Sequence, residues 1–297
     1  MLLARPAMGL TPVQALEAFW DEVAVSGWLM PPVFRSFASA FGNPHFFMPR
    51  LDLAGMAGWT SLYDTWPLRR TLEGLVDLRA LADPAARPGL LVSATDVEAG
   101  QIRYFHSADK GLSLDHILAS GALPPSFPMT DVEGRAYWDG GLFDNTPLGA
   151  VLDTLSGDPA DARTIYVVNL FPNQAPIPRT MAEVAERTLN LQFANRTRQD
   201  LGLLDRFDEV ARLMEALETL PADDPIRQAK VFQDVAGRSY VRKPRVVQIT
   251  RPEQAGPYDG MDFSPEGIEA RAAEGYAQTD AALTDRGPAG RPSHQAV

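Results

Sequence analysis

The stretch YWDGGLFDNTPLG, which begins at Tyr137, places the carboxylate of Asp139 behind two aromatic side chains and ahead of two glycines. A carboxylate can take a proton from an attacking hydroxyl, and it does so better when its pKa is raised. Tyr137 and Trp138 could raise that pKa by forming an apolar wall. Gly140 and Gly141 lack a Cβ, so a ligand or another backbone could approach closely. The pattern predicts a general base at Asp139, although Asp-Gly-Gly alone is also an ordinary turn sequence.

The other candidate chemical groups are interpreted as structural. Asp96 is expected in a turn, and Asp144 in a loop ahead of a helix cap. The histidines lack the spacing of four residues found in helical metal sites, and no acidic cluster has the spacing of a calcium loop. We therefore expect no metal and no cofactor. The histidines are His45, His106, His116 and His294.

Composition excludes several classes of function. The chain has a net charge of -11 without any basic block, so a nucleic acid is not an expected partner. The absence of cysteine excludes disulfides, thiolate metal sites and cysteine nucleophiles. No apolar run has the length of a membrane-spanning helix, and the first ten residues do not resemble a secretory signal. We expect a cytoplasmic protein whose contact with a membrane would be peripheral, and the oligomeric state stays open.

Proline and capping residues predict the first elements of an α/β chain. Thr11-Pro12 predicts the start of one helix and Pro67 the start of a second. The segment LSLDHILAS predicts a third helix that ends at Gly121. A hairpin-like pair of strands is expected before it, separated by a turn at 98–100. The two predicted strands are Leu90–Ala94 and Ile102–His106.

The residues after Asp139 alternate between turn, helix and strand. Thr146 as cap and Pro147 at the first position predict a helix that stops at Ser156-Gly157. The run TIYVVNLF, 164–171, is β-branched and almost continuously apolar, which predicts a central strand covered on both faces. The alternation favours a layered sheet flanked by helices.

The second part of the chain has a different character, so we expect two regions. Residues 1–175 would form the α/β domain, and residues 176–297 a mainly helical C-terminal extension with a returning strand at 246–250 and a disordered tail. Ser264-Pro265 predicts a last helix. A helix–helix packing seam is also predicted, from residues that alternate four and three apart. These are Leu203, Phe207, Val210, Met214 and Leu217.

Three blocks, LLVSATDVEAGQIRYF, ASGALPPSFPM and YWDGGLFDNTPL, resemble the latter half of a bacterial patatin-like phospholipase domain in order and spacing. The resemblance implies an acyl-ester hydrolase that uses a Ser–Asp dyad and acts on lipid substrates. It makes Asp139 the proton acceptor, with Gly140 and Gly141 completing the motif. It also implies that the segment 119–122, together with Pro124-Pro125, packs near the site.

The nucleophile of such a dyad is not found in the sequence. No G-x-S-x-G occurs; GLSLD at Gly111 and GRSYV at Gly237 each have the wrong fifth residue. We therefore expect a patatin-like domain truncated at its N-terminus, which is a fragment or inactive as it stands. Such a chain would also be poorly soluble or partly unfolded unless another segment filled the gap. The alternative is a non-catalytic descendant that binds lipid or protein.

Overall fold

A computed structural model describes residues 11–25, 42–154, 164–171, 174–236, 244–251 and 262–284. It has a mixed α/β architecture with a helical C-terminal stretch, as predicted. The strands are β1 (Met48–Pro49), β2 (Tyr63–Asp64), β3 (Leu91–Asp96), β4 (Gln101–His106), β5 (Thr130–Val132), β6 (Arg135–Asp139), β7 (Thr164–Asn169) and β8 (Arg245–Thr250). The helices are α1 (Pro12–Val23), α2 (Trp66–Leu75), α3 (Leu78–Ala82), α4 (Ser107–Lys110), α5 (Leu114–Ser120), α6 (Leu148–Thr154), α7 (Met181–Glu218), α8 (Pro225–Gln228), α9 (Lys230–Ala236) and α10 (Pro265–Thr284). Short 3-10 helices span Leu53–Gly58 and Gly140–Leu142.

An antiparallel sheet in the order β4-β3-β6-β5 carries the Asp-Gly-Gly motif at the end of β6. The hairpin of β3 and β4 was predicted and is confirmed, with Leu91 opposite His106 and Asp96 opposite Gln101. Asp96 is the turn residue expected, because its Oδ1 accepts a hydrogen bond from the Ala99 N–H at 2.9 Å. Its other oxygen accepts hydrogen bonds from the Arg135 guanidinium. The buried Asp96 carboxylate therefore ties the β3–β4 turn to β6.

Helix α5 covers one face of this sheet and forms the core with it. The helix begins in a capping box, where the Ser113 N–H donates to His116 Nδ1 at 3.0 Å, and it ends at Gly121 as predicted. Cross-strand and helix side chains are buried together at this face because alternate strand residues point towards the helix. The cluster comprises Ala94, Ala119, Val132 and Tyr137, with Phe105 packed against it.

The predicted helix starts agree with the structure to within one or two residues. Thr11 caps α1 in a capping box with Gln14, and Pro67 lies in the first turn of α2. Helix α6 begins at Leu148, one residue after the predicted Pro147. The Pro147 carbonyl accepts a hydrogen bond from the Val151 N–H at 3.1 Å. The predicted end of α6 at Ser156-Gly157 lies outside the described residues.

Within the described residues only one face of strand β7 is covered, so the prediction of cover on both faces was wrong. It pairs in parallel with β8, and Val167 is buried whereas Tyr166 and Val168 are 56% and 58% exposed. One face of the pair is covered, since α10 packs against β8. A continuous apolar run predicts burial on both sides only when other elements supply both covers, and the sequence pattern does not contain that information.

The predicted seam along α7 is also partly wrong. Met214 is buried as expected, but Leu203 and Val210 are exposed, and the side chain of Phe207 lies outside the described part. The buried positions are the neighbours Leu204 and Ala211. Two adjacent apolar rows run along this helix, and periodicity alone does not determine which row faces the protein.

The C-terminal elements agree with their predicted positions. Strand β8 contains the returning strand expected at 246–250, and α10 begins directly after Ser264. Ser264 Oγ accepts a hydrogen bond from the Gly267 N–H at 3.1 Å, which stabilises the first turn. The expected disordered tail lies outside the described residues.

Candidate active site

The backbone of Asp139 is fixed on two sides where β6 ends. Its N–H donates to the Ala122 carbonyl at 3.0 Å, so the segment 119–122 does pack beside the motif. Its carbonyl accepts a hydrogen bond from Thr95 Oγ1 on β3 at 2.8 Å. Asp139 is also the N-cap of the 3-10 helix that follows. These contacts hold the carboxylate at a defined point at the C-terminal end of β6, an inner strand of the sheet.

The carboxylate of Asp139 is partly buried and has few partners. Its Oδ1 accepts a hydrogen bond from the Gly141 N–H at 2.7 Å. Within the described ranges, Oδ2 accepts no hydrogen bond. Burial raises the pKa of Asp139 above the ordinary value of 3.8, and the Gly141 hydrogen bond opposes this effect without cancelling it. A carboxyl group with these properties suits proton acceptance.

The two glycines of the motif serve different purposes. A Cβ on Gly140 would lie 2.2 Å from Ser93 Oγ and 2.6 Å from the Ser93 carbonyl oxygen, so no larger residue fits against β3. A Cβ on Gly141 would lie 3.0 Å from Asp139 Oδ1. Gly140 therefore lets the turn pack on the sheet, and Gly141 leaves space beside the carboxylate.

The predicted aromatic wall is only half present. Tyr137 shares the face of Asp139, since the two residues alternate with Trp138 along β6. Tyr137 is buried and packs edge-on against Phe105, with ring centroids 5.5 Å apart. Trp138 points to the opposite face of the sheet, where its Nε1 is buried without a hydrogen-bond partner among the described residues.

The remaining candidate groups make structural contacts. Asp144 accepts hydrogen bonds from the Thr146 N–H at 3.1 Å and from the Tyr104 hydroxyl at 3.3 Å, which agrees with its interpretation as a loop residue.

The histidines are spread over different parts of the chain. His45 pairs with Glu22 at 2.8 Å. His116 belongs to the cap of α5, and burial lowers the pKa of its imidazole. His106 ends β4, and His294 lies outside the described residues. In the described part of the chain, no three His, Asp or Glu side chains are grouped to hold a metal ion.

A comparison with protein families identifies the group to which this site belongs. The family model of patatin-like phospholipases matches residues 1–152, which is half of the 297-residue chain and includes Asp139. The chain belongs to the patatin-like phospholipase family. A search of curated proteins found no matching sequence.

Membership of the patatin-like family supports lipid acyl hydrolysis and lipid substrates. The described helices include none that is both long enough and apolar enough to cross a bilayer. The patatin-like match ends within α6, so the strands and helices that follow lie beyond the matched region.

Helix α7, which lies beyond the matched region, brings Phe193 close to the patatin-like motif. Sequence reasoning did not identify this residue. The Phe193 ring of α7 lies 3.7 Å from the position that a Cβ on Gly141 would occupy. Phe171, just after β7, packs against Phe193 with ring centroids 4.9 Å apart. No signal in the sequence marks Phe193, because it lies on a long helix without a motif and reaches Gly141 only through the tertiary fold.

Two surface concavities lie away from the motif. A cavity of about 350 Å³ is lined by Lys110, His116 and Glu133 among others. An apolar groove of about 430 Å³ lies between the end of α7 and the helices α8 and α9. Neither is lined by Asp139. Leu142 and Phe143, which follow the motif, have exposed side chains.

Proposed function

We propose that this protein is a lipid acyl hydrolase in which Asp139 accepts the proton of a serine nucleophile. The observation that carries the proposal is the state of the Asp139 carboxylate. It is held at the end of β6, its pKa is raised by burial, and its Oδ2 accepts no hydrogen bond within the described residues. Family membership supports the substrate class, since patatin-like phospholipases act on lipid acyl esters.

The reaction follows from the chemistry of a serine paired with a carboxylate. The serine oxygen attacks the acyl carbonyl carbon while its proton moves to Asp139, and backbone N–H groups stabilise the oxyanion that forms. Collapse of this intermediate releases the alcohol, which takes the proton back from Asp139. Water then attacks the acyl-enzyme with Asp139 again as base, and the fatty acid leaves as the serine is regenerated.

The serine is the part that the present sequence does not supply in the expected motif. Of the two nearest matches, Ser113 in GLSLD caps α5 and contacts His116 Nδ1 at 2.9 Å, so it is engaged in the helix start. Ser239 in GRSYV lies outside the described residues. We propose that a segment not included in these 297 residues carries a G-x-S-x-G nucleophile that meets Asp139.

The reading frame ahead of the Met1 codon gives the first test. An in-frame G-x-S-x-G after a plausible start would support the proposal, whereas a stop codon shortly upstream would overturn it. The polypeptide extended to include that motif should hydrolyse a short-chain chromogenic ester. Asp139→Asn should abolish hydrolysis, and Asp144→Asn, which makes the same charge change five residues later, should leave it unchanged. Activity retained in Asp139→Asn would refute the role of the base.

A second candidate function is lipid or protein binding without hydrolysis. The absence of G-x-S-x-G from the 297 residues favours it. It predicts that the chain associates with liposomes without releasing fatty acid, and flotation without association would remove its lipid-binding form. For either function we propose a cytoplasmic protein with peripheral membrane contact. The net charge of -11 would favour zwitterionic over anionic surfaces.

A further inference from the structure

The wall beside the Asp-Gly-Gly motif comes from outside the region that matches the family. One point in space, the Cβ position of Gly141, lies 3.0 Å from Asp139 Oδ1 and 3.7 Å from Phe193 Cε1. Phe193 belongs to α7, which begins well beyond residue 152 where the match ends. The Phe193 ring therefore borders the space beside the Asp139 carboxylate, and it comes from a helix beyond the matched region.

Phe193 does not act alone, because Phe171 extends the same apolar surface. The two rings contact each other in a tilted arrangement, with an interplanar angle of 33° and centroids 4.9 Å apart. Both side chains are partly exposed, so the pair is not sealed in the core. Leu142 and Phe143, which follow Gly141 in the chain, are each 44% exposed. The carboxylate thus lies beside a partly open surface of apolar side chains.

We propose that Phe171 and Phe193 contact the acyl chain of the substrate, so that the C-terminal extension sets the chain-length preference of the enzyme. This inference rests on the proposed function, because the serine whose proton Asp139 accepts is the group that attacks the acyl carbonyl. The hydrocarbon of an acyl ester starts at the carbonyl carbon. An ester placed for attack by that serine would lie close to Asp139. Its first methylenes would then run across the surface that borders Gly141, and that surface includes the Phe193 ring.

Apolar contact makes affinity depend on chain length. Each methylene transferred from water to an apolar surface should strengthen binding by about fourfold when it is fully buried. A purely structural role of the two rings would give no such dependence, because packing of α7 on the motif would stabilise the fold equally for every ligand. The increment in affinity per methylene therefore separates the two roles.

The test uses the full 297-residue chain and isothermal titration calorimetry with monoacyl phosphatidylcholines below their critical micelle concentrations. Hexanoyl, octanoyl and decanoyl ligands should bind the wild-type chain with increasing affinity. Phe193→Ala and Phe171→Ala should each reduce the increment per methylene by about half, since each removes one ring of the wall. Phe193→Leu, which keeps an apolar side chain, should largely restore it.

Leu213→Ala is the matched control. Leu213 is an exposed apolar residue of the same helix, about 30 Å along its axis from Phe193 at roughly 1.5 Å per residue, so its variant should keep the wild-type increment. An unchanged increment in Phe193→Ala, or no dependence on chain length in the wild-type chain, would overturn the proposal.

Two further measurements distinguish loss of the Phe193 contact from misfolding of the variant and from failure of the proposed function. If Phe193→Ala fails to fold by circular dichroism, a photoreactive p-benzoyl analogue of phenylalanine at position 193 should form a covalent adduct with the decanoyl ligand on irradiation, and absence of the adduct would contradict the contact. Failure of the proposed function would appear separately, as lack of hydrolysis of an acetyl ester by the extended polypeptide. An acetyl group has no chain to reach Phe193, so the two failures can be distinguished.

Discussion

Gly140 packs against Ser93 so closely that a Cβ at position 140 would lie 2.2 Å from the Ser93 Oγ and 2.6 Å from its carbonyl oxygen. The carbonyl is backbone, so it cannot rotate away as a side chain could. The contact fixes the turn that holds Asp139 against β3, and it explains why the residue after the aspartate is a glycine.

Gly140→Ala should lower the free energy of unfolding by about 1–3 kcal/mol or more, because the added methyl overpacks a backbone contact. The measurement is chemical denaturation followed by circular dichroism. Adding Ser93→Ala should not rescue it, since the carbonyl oxygen remains. Gly149→Ala is the control: nothing lies within 4 Å of its Cβ position in α6, so it should stabilise the chain by about 0.5–1 kcal/mol. Equal stability of Gly140→Ala and wild type would contradict the packing described.

Asp139→Asn should raise stability at neutral pH. The pKa of Asp139 is raised by burial, so the folded state holds the proton more tightly than the unfolded state does. Wild-type stability therefore increases as the pH falls through the raised pKa, and the gain is complete below the ordinary value of 3.8. The amide side chain of the variant is neutral throughout and can still accept the Gly141 hydrogen bond. The advantage of the variant over wild type should be present at neutral pH and absent below 3.8, and parallel stability curves would refute this.

Asp96→Asn should have the opposite pH dependence. The pKa of Asp96 is lowered, chiefly by the Ala99 N–H and then by the Arg135 guanidinium, against the effect of burial. Its ionised form therefore contributes stability above the ordinary value of 3.8, and that contribution is lost as the pH falls through the lowered pKa. The variant should be less stable than wild type at neutral pH and should lose less stability on acidification. Denaturant titrations at several pH values measure both effects, and a larger acid loss in the variant would contradict this account.

Neighbouring valines of β7 should respond differently to the same substitution. Val167→Thr introduces a hydroxyl at a site that is 4% exposed, and it should cost about 1–3 kcal/mol of stability if the hydroxyl finds no partner. Val168→Thr changes a side chain that is 58% exposed, and its effect should lie within about 0.5 kcal/mol. It should also reduce aggregation on storage, measured by light scattering, because it makes an exposed apolar strand more polar. A greater loss of stability in Val168→Thr than in Val167→Thr would show that the faces are assigned the wrong way round.

Local signals predicted much of the fold. Thr11, Pro67 and Gly121 mark helix ends through capping and fixed backbone angles, and these properties belong to a few adjacent residues. The β3–β4 hairpin was predictable for the same reason. The exposed face of β7 and the choice between Leu203 and Leu204 on α7 were not, because each depends on which distant element supplies the cover.

Part of the candidate site could likewise be predicted from adjacent residues, and part depends on the tertiary fold. Asp139 and its glycines could be found because they are contiguous, and the close contact of Gly140 with Ser93 gives their spacing a steric reason. The orientation of Trp138 away from Asp139 follows from strand alternation once β6 is known to extend through Asp139. Phe193 could not be predicted, because its position depends on the path of the chain between β6 and α7.

Strand β7 is synthesised well before β8, the strand with which it pairs. During translation, β7 leaves the ribosome before α7, α8 and α9, and its described partner β8 is synthesised only after all of them. Until then the nascent chain carries Tyr166 and Val168 on a strand without that neighbour. Molecular chaperones that bind extended apolar segments would therefore have access to β7 until β8 is synthesised.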